Sequence, residues 1–179
     1  MNKDVEKILI SEEELSKKVC ELANEINAYY NGEPVVLVTI LKGGAVFAVD
    51  LMRRLNMEVK VDFACVSSYG SSTISSGELI VKKDIDIDVE NKNVLIAEDI
   101  IDTGITLSKL RVMLKSRGAK DVKIVTMLNK PARRKVPIEA DFKGFDIPDE
   151  FVVGYGLDYN ENYRNLPYVG VLKRSVYEK

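Results

Sequence analysis

Fourteen consecutive residues, Val94-Leu95-Ile96-Ala97-Glu98-Asp99-Ile100-Ile101-Asp102-Thr103-Gly104-Ile105-Thr106-Leu107, restrict this chain more than any other stretch. The four leading apolar residues predict a buried strand over 94–97. Carboxylates follow immediately, and Thr-Gly-x-Thr opens a helix. In open α/β sheets, ligands bind outside the carboxyl ends of strands, which is where this order puts the acids.

The residue types then specify chemistry. Free amides of Thr103, Gly104, Ile105 and Thr106 at a helix start, with the two threonine hydroxyls, form a cup for a phosphate monoester. Gly104 lets the backbone come close to the anion. Glu98 and Asp99 are placed to bind the two hydroxyls of a ribose, or a hydrated magnesium ion bridging those hydroxyls and a pyrophosphate. Asp102, one turn on, is a candidate proton acceptor from a heterocycle. Asp-Thr-Gly also occurs in aspartic proteases, but there the Asp sits in a hairpin loop as half of a facing pair. The following helix and the lack of a second such triplet argue against that reading.

Elsewhere strand and helix patterns alternate, as in an α/β domain. Ser11-Glu12-Glu13-Glu14 is a capping box, and Leu15, Val19, Leu22 and Ile26 give the apolar stripe of a helix over 11–30. A buried parallel strand is expected at 35–40, a turn at Lys42-Gly43-Gly44, a helix at 45–55 and a strand at 59–66. Residues 67–77 are almost all small and polar and predict a mobile loop. Further strands are expected at 78–83 and 122–128, with a helix at 106–117 capped by Gly118. Beyond Asn129 the pattern loosens, and Phe142, Phe145, Phe151, Tyr155, Tyr159, Tyr163 and Tyr168 point to a small irregular hood.

Several function classes are disfavoured. A formal charge of -2 over 179 residues leaves no surplus to neutralise a nucleic acid. With no histidine, proton transfer falls to carboxylates, Lys and Tyr, and any divalent metal should be a hard, oxygen-bound one. Cys20 and Cys65 sit in unrelated contexts and suggest neither a disulfide framework nor a thiolate metal site. A polar start and the lack of a long apolar run predict a cytoplasmic chain that makes no use of a membrane.

Residues 94–107 resemble the phosphoribosyl pyrophosphate motif of type I phosphoribosyltransferases, and nearly the whole chain resembles the hypoxanthine-guanine, or 6-oxopurine, family. The resemblance implies one domain over residues 1–179, with a central parallel sheet flanked by helices and a hood built from both chain ends. It implies transfer of the 5-phosphoribosyl group from phosphoribosyl pyrophosphate to hypoxanthine or guanine, giving IMP or GMP and pyrophosphate. Asp102 is the implied catalytic base. Leu41-Lys42-Gly43-Gly44 matches the pyrophosphate loop, in which the peptide before Lys42 is often cis. Ser68 and Tyr69 match the lid. Lys130 corresponds to the lysine that reads the oxygen on purine carbon 6. Phe151 corresponds to the residue that stacks on the base, and Val152 to the one whose backbone reads its edge. Glu98, Asp99 and Asp158 are the implied magnesium ligands. Arg164 is the implied pyrophosphate clamp, with Arg134 or Arg133 assisting. A homodimer or homotetramer is expected on the same basis. The competing reading is a regulator that senses phosphoribosyl pyrophosphate on the same fold; Asp102 and the near-neutral charge weigh against it.

Overall fold

The computed structural model describes residues 2–68 and 79–178. Six strands form the main sheet: β2 (Val35–Ile40), β3 (Val59–Ser68), β4 (Leu79–Lys83), β5 (Asn93–Ile101), β6 (Asp121–Asn129) and β7 (Phe142–Asp146). Their spatial order is β4-β3-β2-β5-β6-β7, with every neighbouring pair parallel except β3 and β4. Side-chain alternation explains why both faces need cover. Val35, Leu37, Leu95, Ala97, Val125 and Met127 pack with helices α1 (Glu12–Tyr30) and α2 (Gly44–Met52). Val36, Val38, Val94, Ile96, Val122 and Ile124 face the opposite layer, with Leu107, Leu110 and Leu114 of α3 (Ile105–Ser116). A period of two within continuous apolar runs is what a strand buried on both faces requires.

The chain leaves β2 toward β3 on one side and enters β5 toward β6 on the other. The crevice between the carboxyl ends of β2 and β5 is therefore the topological switch point, where sheets of this kind bind ligands. Ile40 and the acids of β5 meet there.

Much of the expected order is present. The capping box of α1 is complete: Ser11 Oγ accepts from the Glu14 N–H at 3.2 Å, and Glu14 Oε2 accepts from the Ser11 N–H at 2.8 Å. Three expectations need correction. First, β5 does not stop at residue 97. Its ladder with β6 continues through Glu98, Ile100 and Ile101, because Thr126, Leu128 and Asn129 stay in register opposite them. Second, the helix expected at 45–55 ends at Met52, where Arg54 and Leu55 donate to Leu51 and Met52 in a tight turn. Third, Phe142 and Phe145 belong to the main sheet, not to the hood. β7 has its main chain close against β6, since a Cβ on Gly144 would lie 2.2 Å from the Met127 carbonyl oxygen.

The hood contains regular structure as well. β1 (Val5–Ile10), which the sequence did not reveal, pairs antiparallel with β9 (Val169–Leu172), and β9 pairs with β8 (Val152–Val153). A one-turn helix, α4 (Arg174–Tyr177), follows. The expected lid at 67–77 lies largely outside the described residues, Tyr69 included. Ser68 ends β3, opposite Leu79.

Candidate active site

A cavity of about 260 Å³ opens at the switch point, lined by Glu98, Asp99, Asp102, Thr103, Gly104 and Thr106 with apolar walls from Ile40, Val66 and Leu107. Gly104 caps α3 with φ 79, a left-handed backbone that glycine adopts without strain. A side chain there would also strike Ile138, with a Cβ 2.4 Å from its Cγ2. The Ile105 N–H donates to Thr103 Oγ1 over a long 3.4 Å. The helix start thus presents amides to the cavity with no acidic side chain in its first turn.

Glu98 and Asp99 form a strained electrostatic pair. Burial, then the charge of Asp99, pushes the Glu98 carboxyl well above the usual carboxylate range, and burial pushes Asp99 up too. Asp99 Oδ1 accepts from the Ile100 N–H at 2.7 Å. This donor set suits a hard divalent cation or a pair of hydroxyls, either of which would relieve the conflict.

Asp102 lies at the end of the acidic run with a 41% exposed side chain. Arg133 Nε is 2.9 Å from its Oδ1, yet the N–H is not aligned for a bond, so Oδ1 is buried without a hydrogen-bond partner. With Oδ1 buried against Arg133 and the side chain still 41% exposed, the other carboxylate oxygen is the one a donor on a bound ring could reach. Arg134 acts from below: Nη1 donates to the Asp102 carbonyl at 2.5 Å and Nη2 donates to Asn129 Oδ1. Arg133 pairs with Asp102 and Asp149, and Arg134 supports the Asp102 carbonyl just before the start of α3.

Lys130 follows β6, and its N–H donates to the Ile101 carbonyl at 2.9 Å. Its side chain is buried, with Nζ donating to the Glu150 carbonyl at 2.9 Å and 3.7 Å from Asp149. An ammonium has three donors, so capacity remains for a ligand oxygen. Phe151 is 39% exposed beside these groups. Tyr177 stacks on its ring at a centroid distance of 4.9 Å, and Tyr159 meets it edge-on at 5.6 Å. Val152 is buried in β8.

The peptide between Leu41 and Lys42 is cis, as the family resemblance implied. Gly43 lies against Asp99, and Gly156 of the hood lies against Gly43, where a Cβ would come 2.1 Å from the Gly43 carbonyl oxygen. The hood is tied down nearby by the Tyr155 hydroxyl, which donates to Asp50 Oδ2 at 2.9 Å. Burial, with that bond second, pushes the Tyr155 hydroxyl far up. Arg164 donates to the Gly156 carbonyl at 2.7 Å and pairs with Asp158 at 2.7 Å. Asp158 and Arg164 thus hold each other, and Asp158 also accepts from the Glu161 N–H at 2.9 Å. Lys42 Nζ lies 2.9 Å from Glu161, whose carboxyl is held below its usual range by that bond. The contact of Arg133 with Asp102 and the parts played by Glu161 and Tyr177 carry no local sequence signal, since each depends on a neighbour distant along the chain.

Strand order, the acidic end of β5 and the start of α3 fit the layout of a phosphoribosyltransferase, and the phosphoribosyl transferase domain family matches residues 6–160. The chain is 54% identical to the hypoxanthine-guanine phosphoribosyltransferase of Bacillus subtilis over 178 residues, 99% of each chain. It is 49% identical to the enzyme of the same name from Streptococcus thermophilus, over 100% of this chain and 99% of the other. A crystal structure of a hypoxanthine phosphoribosyltransferase from Staphylococcus aureus superposes with a TM-score of 0.94 at 49% identity, covering 98% of this chain and 96% of that one. The chain belongs to the phosphoribosyltransferase family, in its hypoxanthine-guanine branch, and is a glycosyltransferase of purine salvage.

Proposed function

We propose that this enzyme transfers the 5-phosphoribosyl group of phosphoribosyl pyrophosphate to hypoxanthine or guanine, releasing pyrophosphate and IMP or GMP. The observation that carries the reading is the convergence on one cavity of an acidic strand end, the start of α3 and the partly exposed carboxylate of Asp102.

On this reading the amides of Thr103, Gly104, Ile105 and Thr106, with the threonine hydroxyls, hold the 5-phosphate. Glu98 and Asp99 bind the ribose hydroxyls. Lys42, the Gly43 backbone and Arg164 bind the pyrophosphate. Lys130 donates to the oxygen on purine carbon 6, which adenine lacks; the exposed Phe151 ring stacks on the base and the Val152 backbone reads its edge. Asp102 accepts the proton that leaves the attacking ring nitrogen, and the developing charge at the ribose carbon is stabilised by the surrounding carboxylates. Glu98 and Asp99 would hold one magnesium ion and Asp158 a second, which when bound supply positive charge against the departing pyrophosphate. Ser68 and Tyr69 serve the lid that excludes water.

The whole chain, residues 1–179, is taken as one catalytic unit. Among the described residues no helix is long and apolar enough to cross a membrane, and a cytoplasmic setting fits the reading. So does assembly into homodimers or homotetramers, for which the exposed Val46 and Val49 on α2 supply apolar surface.

Pyrophosphate release from phosphoribosyl pyrophosphate with magnesium tests this, with hypoxanthine, guanine, xanthine and adenine offered separately beside an Asp102→Asn control. Release with hypoxanthine or guanine but not adenine, lost in the control, is the expected result. Binding of phosphoribosyl pyrophosphate without release for any base would favour a sensor.

A further inference from the structure

One oxygen of Glu161 holds both cationic side chains assigned above to pyrophosphate. Oε2 lies 2.9 Å from Lys42 Nζ and 3.4 Å from Arg164 Nη2. An anionic oxygen accepting at once from an ammonium and a guanidinium is what a pyrophosphate oxygen would do in the same place. The backbone around it is unusual in a way that serves this contact. Asn160, Glu161 and Tyr163 have φ of 49, 63 and 76, left-handed values that side-chain-bearing residues adopt only where their surroundings enforce them. Here the Glu161 N–H is held by Asp158 Oδ2, and Tyr159 and Asn162 exchange a pair of backbone hydrogen bonds. The result carries Glu161 across to a lysine 119 positions earlier in the chain.

We propose that Glu161 is an internal stand-in for pyrophosphate. In the free enzyme it fills the anion position between Lys42 and Arg164. Donor and product must displace it, so Glu161 limits pyrophosphate affinity and favours product release. The inference rests on the reading of Lys42 and Arg164 as pyrophosphate ligands. Both members of the Lys42–Glu161 pair are 64% exposed, so the contact is weak enough for a multiply charged anion to displace it. The same exposure sets the size of the effect at roughly two- to fivefold in affinity.

The test is pyrophosphate binding to the full-length enzyme by calorimetry, at fixed magnesium and ionic strength, with the donor KM measured in parallel. Three variants are compared with the unmodified enzyme: Glu161→Gln, Glu161→Asp and Lys42→Ala. Asp keeps the charge but is one methylene too short to reach Lys42. The expected result is tighter pyrophosphate binding and lower donor KM in both Glu161 variants, an unchanged KM for the base, and loss of the Gln gain once Lys42→Ala is added. Tightening in Glu161→Gln alone would reduce the effect to net charge and overturn the stand-in. Unchanged binding in both Glu161 variants, with binding weakened by Lys42→Ala, would overturn it while leaving the pyrophosphate reading intact. No effect of Lys42→Ala would remove that reading and the stand-in with it.

Discussion

Gly43 and Asp99 occupy almost the same space: a Cβ on Gly43 would sit 1.6 Å from Asp99 Oδ2. The loop after β2 therefore packs directly on the acid pair at the end of β5, and only a glycine permits the contact. Asp99 cannot swing aside freely, because it is buried and its Oδ1 is held by the Ile100 N–H. Gly43→Ala should displace either the loop or the carboxylate by about an ångström and lower kcat/KM by roughly a hundredfold. Steady-state kinetics checks this, beside a thermal melt to confirm folding. Activity equal to that of the unmodified enzyme would show that the loop yields without harm.

Asp102→Asn keeps the shape of the side chain and removes its basicity. Turnover should fall by roughly 10²- to 10⁴-fold, the usual share of a general base, while phosphoribosyl pyrophosphate still binds. Single-turnover kinetics with a separate binding measurement separates the two effects. Unchanged turnover would exclude Asp102 from proton transfer.

Lys130→Ala removes a buried ammonium that holds the Glu150 carbonyl and is assigned to the base oxygen. A charge-assisted hydrogen bond contributes about 1.5–3 kcal/mol, so kcat/KM for hypoxanthine should drop by at least tenfold, with the ratio of hypoxanthine to adenine falling alongside. Competition between the two bases reads that ratio. A constant ratio would mean that another group selects the base.

Asp62 lies away from the cavity and gives a prediction about stability. Burial opposes its charge, but the N–H groups of Ile87, Phe63 and Asp86 donate to it at 2.8, 2.7 and 2.7 Å, and the net effect lowers its carboxyl below the ordinary value. A carboxyl lowered on folding contributes stability above its unfolded value near 3.8, and that contribution is lost as pH falls through the folded value below it. Asp62→Asn should cost about 1–3 kcal/mol at pH 7 and flatten the acid limb of the stability curve. Urea unfolding at pH 7 and below pH 4 measures both; an unchanged acid limb would show that other carboxylates set it.

The boundary between what could be read and what could not follows the range of the interactions. α1 was legible because its capping box and apolar stripe are local, and β2 because six consecutive buried residues carry their own signal. β1 was not legible. Its burial alternates irregularly, and the strand it pairs with, β9, lies at the far end of the chain. β7 carries too short a local signal to separate it from the hood, because its few residues gain strand structure from lying against β6, with Gly144 close against the Met127 carbonyl.

The same division applies to the site. The strand of β5, its carboxylates and the helix entry at Thr103-Gly104 are encoded locally, since they lie within one uninterrupted run of residues. Only the tertiary structure decided that Gly43 abuts Asp99, that Arg134 supports the Asp102 carbonyl while Arg133 faces its carboxylate, and that Glu161 spans to Lys42 and Arg164. A motif records chemistry held by neighbouring peptide units. Contacts between loops far apart in sequence are set by how the sheet and the hood bring their ends together, and no single stretch of chain contains that information.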